Sequence, residues 1–133
     1  MESEINHLNI NVSDPSASFP FYKELLEYLG YKTIRYIENT TAAFENNGFS
    51  LWFDAVKEKY KDKTFHRQAT GINHLAFRVN SKEEVDKFYQ EFLKPRKIET
   101  LYQTPKAFPE YTDKYYAVFF EDPDRIKLEV VYL

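Results

Sequence analysis

The feature that most constrains this chain is an internal repeat. Ile5-Asn6-His7-Leu8 recurs as Ile72-Asn73-His74-Leu75, an offset of 67 residues. The same offset carries Phe21-Tyr22 onto Phe88-Tyr89. Two copies of a long module favour a pseudo-symmetric fold over a solenoid, because a solenoid needs at least three repeats to bury its core.

The first copy has the pattern of a βαβββ module. Apolar and polar side chains alternate over residues 5–12, which predicts a strand. Asp14-Pro15 is a typical helix start, and Gly30 is a typical residue just beyond a helix that ends near Tyr28. Pro20 lies inside this helix and is expected to cost a hydrogen bond or bend its first turns. Three strands are predicted to follow, at 31–37, 41–45 and 49–55.

The second copy repeats this order from Ile72 onward. Ser81 and Glu84 have the spacing of a capping box, so a helix is expected there, and Pro95 should end it. The prolines within residues 104–114 indicate a loop, and Asp122-Pro123-Asp124 indicates a tight turn. The strands of this copy are predicted at 72–79, 98–103, 115–121 and 126–132.

Residues 56–70 join the two modules, which span about 5–55 and 71–133. The 133 residues are expected to form one domain. The joining segment is rich in lysine, and we interpret it as a solvated linker with His66 at the surface. The alternative is a mobile basic lid over a site that takes an anionic substrate.

Composition excludes several classes of function. A net charge of −3 is too weak to predict binding to nucleic acid or an anionic membrane. The chain has no cysteine, which removes disulfides, thiol nucleophiles and cysteine-type zinc sites. No apolar run has membrane-spanning length, and Met1-Glu2-Ser3-Glu4 lacks the apolar stretch of a signal peptide. We therefore expect a soluble cytoplasmic protein.

Strand alternation places two histidines and one carboxylate on the more polar face of their strands. His7, His74 and Glu129 each alternate with apolar residues that should face a helix. The histidines occupy equivalent positions of the repeat, and pseudo-symmetry brings such positions together near an axis. Two histidines and a carboxylate suit Fe(II), Mn(II), Zn(II) or Ni(II) and leave open positions for a substrate.

These motifs resemble those of the vicinal oxygen chelate superfamily, over about residues 5–133. The superfamily includes glyoxalase I, extradiol dioxygenases, fosfomycin-resistance thiol transferases and bleomycin-binding proteins. The resemblance rests on the repeated histidine segments, the Phe-Tyr pair of each helix and the segment Glu121-Asp122-Pro123-Asp124-Arg125-Ile126-Lys127-Leu128-Glu129. It implies an α+β fold of two tandem βαβββ modules, forming a curved mixed sheet around a central cavity with the helices outside.

The resemblance also implies that metal ligands come from the first and last strand of each module. His7, His74 and Glu129 match three of these places, and Trp52 stands at the fourth, where it cannot bind metal. This departure argues against glyoxalase I activity, which uses carboxylates from both last strands. The three-ligand relatives place a tyrosine where this chain has Phe119, and the fosfomycin-resistance pattern has a threonine where it has Asn9.

The expected function is metal-assisted chemistry on a small molecule that offers two vicinal oxygens. Trp52 would form an apolar wall, although a plain core tryptophan is equally expected. Tyr115 could supply the hydroxyl that Phe119 lacks. The alternatives are a metal-free ligand-binding protein of the bleomycin-resistance type and a protein with a purely structural ion. A homodimer is expected. The residues expected to contact the substrate are Asn9, Ser50, Trp52, Arg78 and Phe119, with Tyr115 as the catalytic candidate.

Overall fold

Both copies of the repeat fold into a four-stranded mixed sheet with a helical segment packed on it. The computed structural model describes residues 1–133. It divides into two compact units, Met1–Thr64 and Phe65–Leu133, which we call unit 1 and unit 2. The boundary falls inside the predicted linker, and the assignment to one domain remains a prediction. The predicted α+β fold of two modules is confirmed, and each module forms a four-stranded mixed sheet of its own.

Unit 1 has the sheet order β1-β4-β3-β2, in which β1 runs parallel to β4 and the other pairs are antiparallel. Helix α1 begins after Asp14, whose side chain accepts hydrogen bonds from the backbone N–H and hydroxyl of Ser16. Pro20 lies within the helix without ending it. The elements are β1 (His7–Val12), α1 (Pro15–Tyr28), β2 (Lys32–Ile37), β3 (Thr41–Asn46) and β4 (Phe49–Ala55).

The core of unit 1 lies between α1 and its sheet. Tyr22 of α1 stacks on Phe53 of β4 with ring centroids 3.8 Å apart, and Phe44 meets Phe53 edge-on. Ile10 and Val12 of β1 are buried, whereas the alternate residues of that strand are exposed. Strand β1 therefore presents its polar residues, including His7, on the face away from the helix.

Unit 2 has the equivalent sheet order β5-β8-β7-β6, with β5 parallel to β8. Helix α2 is shorter than predicted, because its last turns, Tyr89–Leu93, are π-helical. The Ser81 hydroxyl caps α2 by accepting a hydrogen bond from the Glu84 N–H. The Glu84 carboxylate accepts from the N–H of Asn80 instead of that of Ser81, so the second bond of the capping box involves the residue before the cap. The elements are β5 (His74–Arg78), α2 (Lys82–Phe88), β6 (Thr100–Ala107), β7 (Tyr116–Glu121) and β8 (Lys127–Tyr132).

The prediction of a loop over residues 104–114 is wrong for its first four residues, which belong to strand β6. The strand continues to Ala107 through an irregularity at Tyr102 and Gln103, whose φ angles are 59° and 57°. Within this irregularity the Thr104 hydroxyl accepts a hydrogen bond from the Phe119 N–H and donates one to a backbone carbonyl. Proline is tolerated here because β6 is an edge strand, where one backbone donor can be missing.

The turn between β7 and β8 is organised by Asp122. Its Oδ1 accepts hydrogen bonds from the backbone N–H groups of Asp124, at 2.9 Å, and Ile126, at 2.7 Å. Arg125 occupies the left-handed region with φ 65°, where glycine is the residue that adopts it most readily. This turn fixes the start of β8 and therefore the position of Glu129. Neither helix is both long and apolar enough to cross a lipid bilayer.

Candidate functional site

Glu129 is the most unusual residue of unit 2, because its carboxylate is buried. The side chain is 1% exposed and lies in β8 opposite Phe119 of β7 and Ala76 of β5. An apolar cluster of Phe108, Ala117, Phe119 and Val131, with Tyr115 and Leu101 packed on it, occupies the same part of the sheet. A buried carboxylate is costly unless it is paired with a cation or fully hydrogen-bonded.

Only one of the two Glu129 oxygens has a hydrogen-bond donor. The Tyr115 hydroxyl donates to Oε1 at 2.5 Å, a short charge-assisted bond. Oε2 is buried and has no hydrogen-bond partner. Burial, and then the bond to Glu129, raise the pKa of Tyr115 well above its usual value, so this tyrosine stays a donor at neutral pH. Tyr115 thus fixes one oxygen of the carboxylate and leaves the other unpaired.

His74 Nε2 lies 3.4 Å from the unpaired Oε2. The other ring nitrogen, Nδ1, lies 2.8 Å from the side-chain oxygen of Asn73. The Asn73 amide nitrogen donates to the carbonyl of Arg67 at 3.2 Å, so the amide oxygen must be the atom that faces His74. Because this oxygen can only accept, Nδ1 carries a proton, and in the neutral imidazole Nε2 therefore presents a lone pair.

When His74 is neutral, two electron-rich atoms therefore face each other in unit 2, an imidazole lone pair and a buried carboxylate oxygen. This arrangement is unfavourable unless a cation, either a proton or a metal ion, lies between them. Ligands about 2.1 Å from one ion are roughly 3.0–3.5 Å apart, which agrees with the 3.4 Å between these two atoms. The pair therefore fits two adjacent ligands of a divalent metal. Within either unit, no group of three or more His, Asp or Glu side chains comes together in a way that could hold an ion.

His7 in unit 1 repeats the local arrangement of His74. Its Nδ1 lies 2.9 Å from the side-chain oxygen of Asn6, the residue before it, and the imidazole is exposed. Asparagine at this place is part of the repeated Ile-Asn-His-Leu motif. Sequence reasoning used that motif to find the repeat but missed that the asparagine orients each imidazole. A hydrogen bond of this kind to a ring N–H is the usual support of a metal-binding histidine.

The strand register shows which residue of unit 1 corresponds to Glu129. Trp52 pairs with Asn9, and Glu129 pairs with Ala76; Asn9 and Ala76 each lie two residues after the histidine of their strand. Trp52 therefore stands in β4 at the place of Glu129 in β8, as the sequence alignment of the two modules predicted. Its ring N–H donates to the Ser50 hydroxyl at 3.0 Å, and it cannot ligate a metal.

Three of the predicted substrate contacts already have partners within their own unit. Asn9 donates to Asp54 at 2.7 Å, and Ser50 accepts from Trp52. Arg78 donates to the Leu133 carbonyl at 3.0 Å. Phe119 packs edge-on against Tyr102 and Phe108. Unit 2 thus brings together His74, Tyr115, Phe119 and Glu129, and unit 1 brings together His7, Asn9, Ser50 and Trp52.

Comparison with known proteins identifies the family. The model of the Glyoxalase/Bleomycin resistance protein/Dioxygenase superfamily matches residues 4–130. The chain belongs to this superfamily.

Three similar proteins illustrate the range of the superfamily around this chain. The uncharacterised protein YqjT of Bacillus subtilis is 36% identical over 127 residues, covering 96% of this chain and 97% of YqjT. The metallothiol transferase FosB of Lysinibacillus sphaericus is 30% identical over 125 residues, covering 94% of this chain and 79% of FosB. A crystal structure of a candidate glyoxalase from Bacillus halodurans is 36% identical with a TM-score of 0.87, covering 97% of this chain and 95% of that protein.

Proposed function

We propose that this superfamily member is a divalent-metal-dependent enzyme acting on a small molecule through two vicinal oxygens. The observation that carries the proposal is the buried, unpartnered Oε2 of Glu129, 3.4 Å from the lone-pair nitrogen of His74. These two residues would hold the ion in unit 2. His7 would supply the third ligand, from the same chain or from the partner in a homodimer. Iron, manganese, zinc and nickel all suit this ligand set.

The remaining residues would prepare the site without touching the ion. Asn73 would keep the His74 imidazole in the tautomer that exposes Nε2, and Asn6 would do the same for His7. The Tyr115 hydroxyl holds Oε1 of Glu129, and so directs Oε2 toward His74. When bound, the metal would supply Lewis-acid chemistry at the oxygens of the substrate. Tyr115 would act at this site as a hydrogen-bond donor, because its raised pKa keeps the hydroxyl protonated.

Among the reactions expected for such a site, we favour group transfer over isomerisation. A glyoxalase I-like lyase would need a second carboxylate ligand at the place of Trp52, and tryptophan cannot supply it. The 30% identity to a metallothiol transferase supports the choice of transferase, and an extradiol dioxygenase is the next alternative. Phe119 and Asn9 depart from the residues of the fosfomycin-resistance pattern, so the substrate is expected to differ as well.

A metal-free ligand-binding protein is the second candidate. It is favoured by the aromatic cluster next to Glu129, which offers an apolar surface, and by the internal partners of Asn9 and Arg78. In that case the protein would hold a small apolar ligand without changing it. The two candidates differ in one measurable property, which is tight binding of a divalent ion.

Metal analysis of ligand variants separates these candidates. We expect His74→Ala, Glu129→Ala and His7→Ala each to remove most bound divalent metal while the circular dichroism spectrum stays native. His66→Ala is the matched control, because it removes an imidazole that the proposal does not use, and it should retain full occupancy. Full metal content in any of the three ligand variants would contradict the assignment of that residue. Absence of tight metal binding by the wild type would favour the ligand-binding protein.

A further inference from the structure

The segment that leads into β5 is tied to the end of β7 by one ion pair. The Arg67 guanidinium donates to Oε1 of Glu121, the last residue of β7, and each of the two side chains is 24% exposed. Arg67 lies in the part of the predicted linker that belongs to unit 2. An ion pair that is shielded from most of the solvent is screened less by salt than one on the open surface. Arg67 therefore anchors the segment that precedes His74.

The backbone of Arg67 continues this connection toward the proposed metal site. Its carbonyl accepts a hydrogen bond from the Asn73 side-chain amide at 3.2 Å, and the Asn73 amide oxygen lies 2.8 Å from Nδ1 of His74. Between these residues the chain turns back on itself, because the Ala69 N–H donates to the carbonyl of His66 at 2.9 Å. Arg67 thus bonds β7 through its side chain and, through its carbonyl, holds the amide that orients His74.

Unit 1 has the same asparagine but not its anchor. The Asn6 oxygen lies 2.9 Å from Nδ1 of His7, and the Asn6 amide nitrogen donates to no other group of the protein. A side-chain amide that is bonded at its oxygen and at its nitrogen has one orientation, whereas an amide bonded at one atom can still turn. We therefore expect the His74 ring to be held more firmly than the His7 ring.

A second arginine contacts Glu121 without this connection. Arg125 Nε lies 3.6 Å from the other oxygen of Glu121, and the Arg125 side chain is 77% exposed. The Arg125 backbone N–H donates to the carbonyl of Asp122, so its bonds stay within the turn between β7 and β8. The two arginines share one carboxylate, but only Arg67 is linked through Asn73 to His74.

We propose that Arg67 is a positioning residue of the metal site. Its ion pair with Glu121 holds the carbonyl that fixes Asn73, and Asn73 fixes the tautomer and the orientation of the His74 ring. Partners behind a metal-binding histidine set its ring orientation and its basicity, so they change metal affinity without touching the ion. This inference rests on the proposed function, which assigns His74 to the metal. It gives the C-terminal end of the predicted linker a role in the site.

Nitrogen-15 NMR of the histidine rings tests the positioning role without any metal. The full-length protein is measured with a chelator at about pH 8.5, above the ordinary pKa of histidine, where the ring nitrogens report the tautomer. We expect Arg67→Met to shift His74 away from the Nδ1-protonated form, while the ring signals of His7 stay unchanged. The backbone carbonyl of residue 67 remains in this variant, so the shift reports loss of the anchor. Unchanged His74 signals would overturn the proposal.

Titration of the same variants with zinc measures the consequence for the proposed site. Because a partly exposed ion pair contributes modestly, Arg67→Met should weaken zinc binding about three- to fivefold, and Arg67→Lys should recover part of the affinity. Loss of a nearby positive charge would by itself favour a bound cation, so weaker binding has the sign that positioning predicts. Arg125→Met is the matched control, because it removes the other arginine beside Glu121, and it should not weaken zinc binding.

A double-variant cycle shows whether the effect passes through Asn73. In the Asn73→Ala background Arg67→Met should have no further effect, because the connection to His74 is already broken. An undiminished effect in that background, equal weakening by Arg125→Met, or tighter binding by Arg67→Met would each overturn the proposal. If the wild type binds no zinc, the proposed function fails, and the NMR result still decides whether Arg67 positions His74.

Discussion

The unpaired oxygen of Glu129 predicts that the conservative substitution Glu129→Gln has opposite effects without and with metal. Without metal the variant should be more stable than the wild type, and with metal the wild type should regain the advantage. In Glu129→Gln the side-chain oxygen can still accept from Tyr115, and the amide nitrogen can donate to the lone pair of His74 Nε2. Every polar atom of this pair then has a partner. The metal-free variant should therefore be more stable than the metal-free wild type, although it loses a metal ligand.

The expected gain is about 2 kcal/mol in the free energy of unfolding. Relieving a buried unsatisfied group contributes about 2 kcal/mol, and the new bond to His74 adds about 1 kcal/mol. The Tyr115 bond changes from a charged to a neutral acceptor, which costs about 1 kcal/mol. For a domain of this length, a gain of about 2 kcal/mol raises the melting temperature by about 6–10 °C.

Urea and thermal unfolding with and without a saturating divalent ion would measure both effects. With metal at 100 times its dissociation constant, the wild type should gain about 2.7 kcal/mol, whereas Glu129→Gln should gain almost nothing. Glu129→Leu, which also removes the charge but offers no donor to His74, controls for simple loss of the carboxylate. The reasoning is refuted if Glu129→Gln destabilises the metal-free protein or keeps the full stabilisation by metal.

Three further predictions test the neighbours of this carboxylate. Tyr115→Phe removes the donor to Glu129 and should destabilise the metal-free protein by about 2 kcal/mol in urea, whereas Tyr116→Phe, whose hydroxyl contacts an exposed aspartate, should cost less than half of that. Equal costs would contradict the role given to Tyr115. Asn73→Ala should weaken metal binding about 10- to 100-fold by releasing the imidazole, and unchanged affinity in a metal titration would remove that role. Trp52→Glu should tighten metal binding by completing a four-ligand set, and an unchanged or weaker affinity would count against a place beside the ion.

The fold was predictable because the repeat applies one pattern of alternation and helix caps twice. Strand β4 and helix α1 have the predicted bounds, and the other strands differ by one or two residues, apart from β6. The alternation of β1 and β5 gave the correct polar and apolar faces, because a period of two leaves no other choice once a helix covers one face. These elements depend on local patterns, which a single sequence contains.

Strand β6 and the end of α2 were not predictable from local patterns. Pro105 indicates a loop, yet the Thr104 hydroxyl bonds the backbone of both β6 and β7 and keeps the strand paired. Which side chain makes such a bond can be recognised only once the pairing of β6 with β7 is known. For Tyr115 the sequence predicted a hydroxyl near the site, but the atom that it contacts, Oε1 of Glu129, depends on the β7–β8 register.

The two units carry side chains of different size at the equivalent places of the proposed metal site, and this difference affects the design of the Trp52→Glu test. In unit 1 the large Trp52 lies opposite the small Ala43, whereas in unit 2 the shorter Glu129 lies opposite the large Phe119. The larger side chain of the pair therefore lies in β4 in unit 1 and in β7 in unit 2. Trp52→Glu alone leaves the space next to Ala43 unfilled, and replacing a packed tryptophan costs up to several kcal/mol. The affinity for metal, rather than the melting temperature, is therefore the measurement that tests the fourth ligand. Adding Ala43→Phe to Trp52→Glu would copy the unit 2 pairing and should recover part of the lost stability.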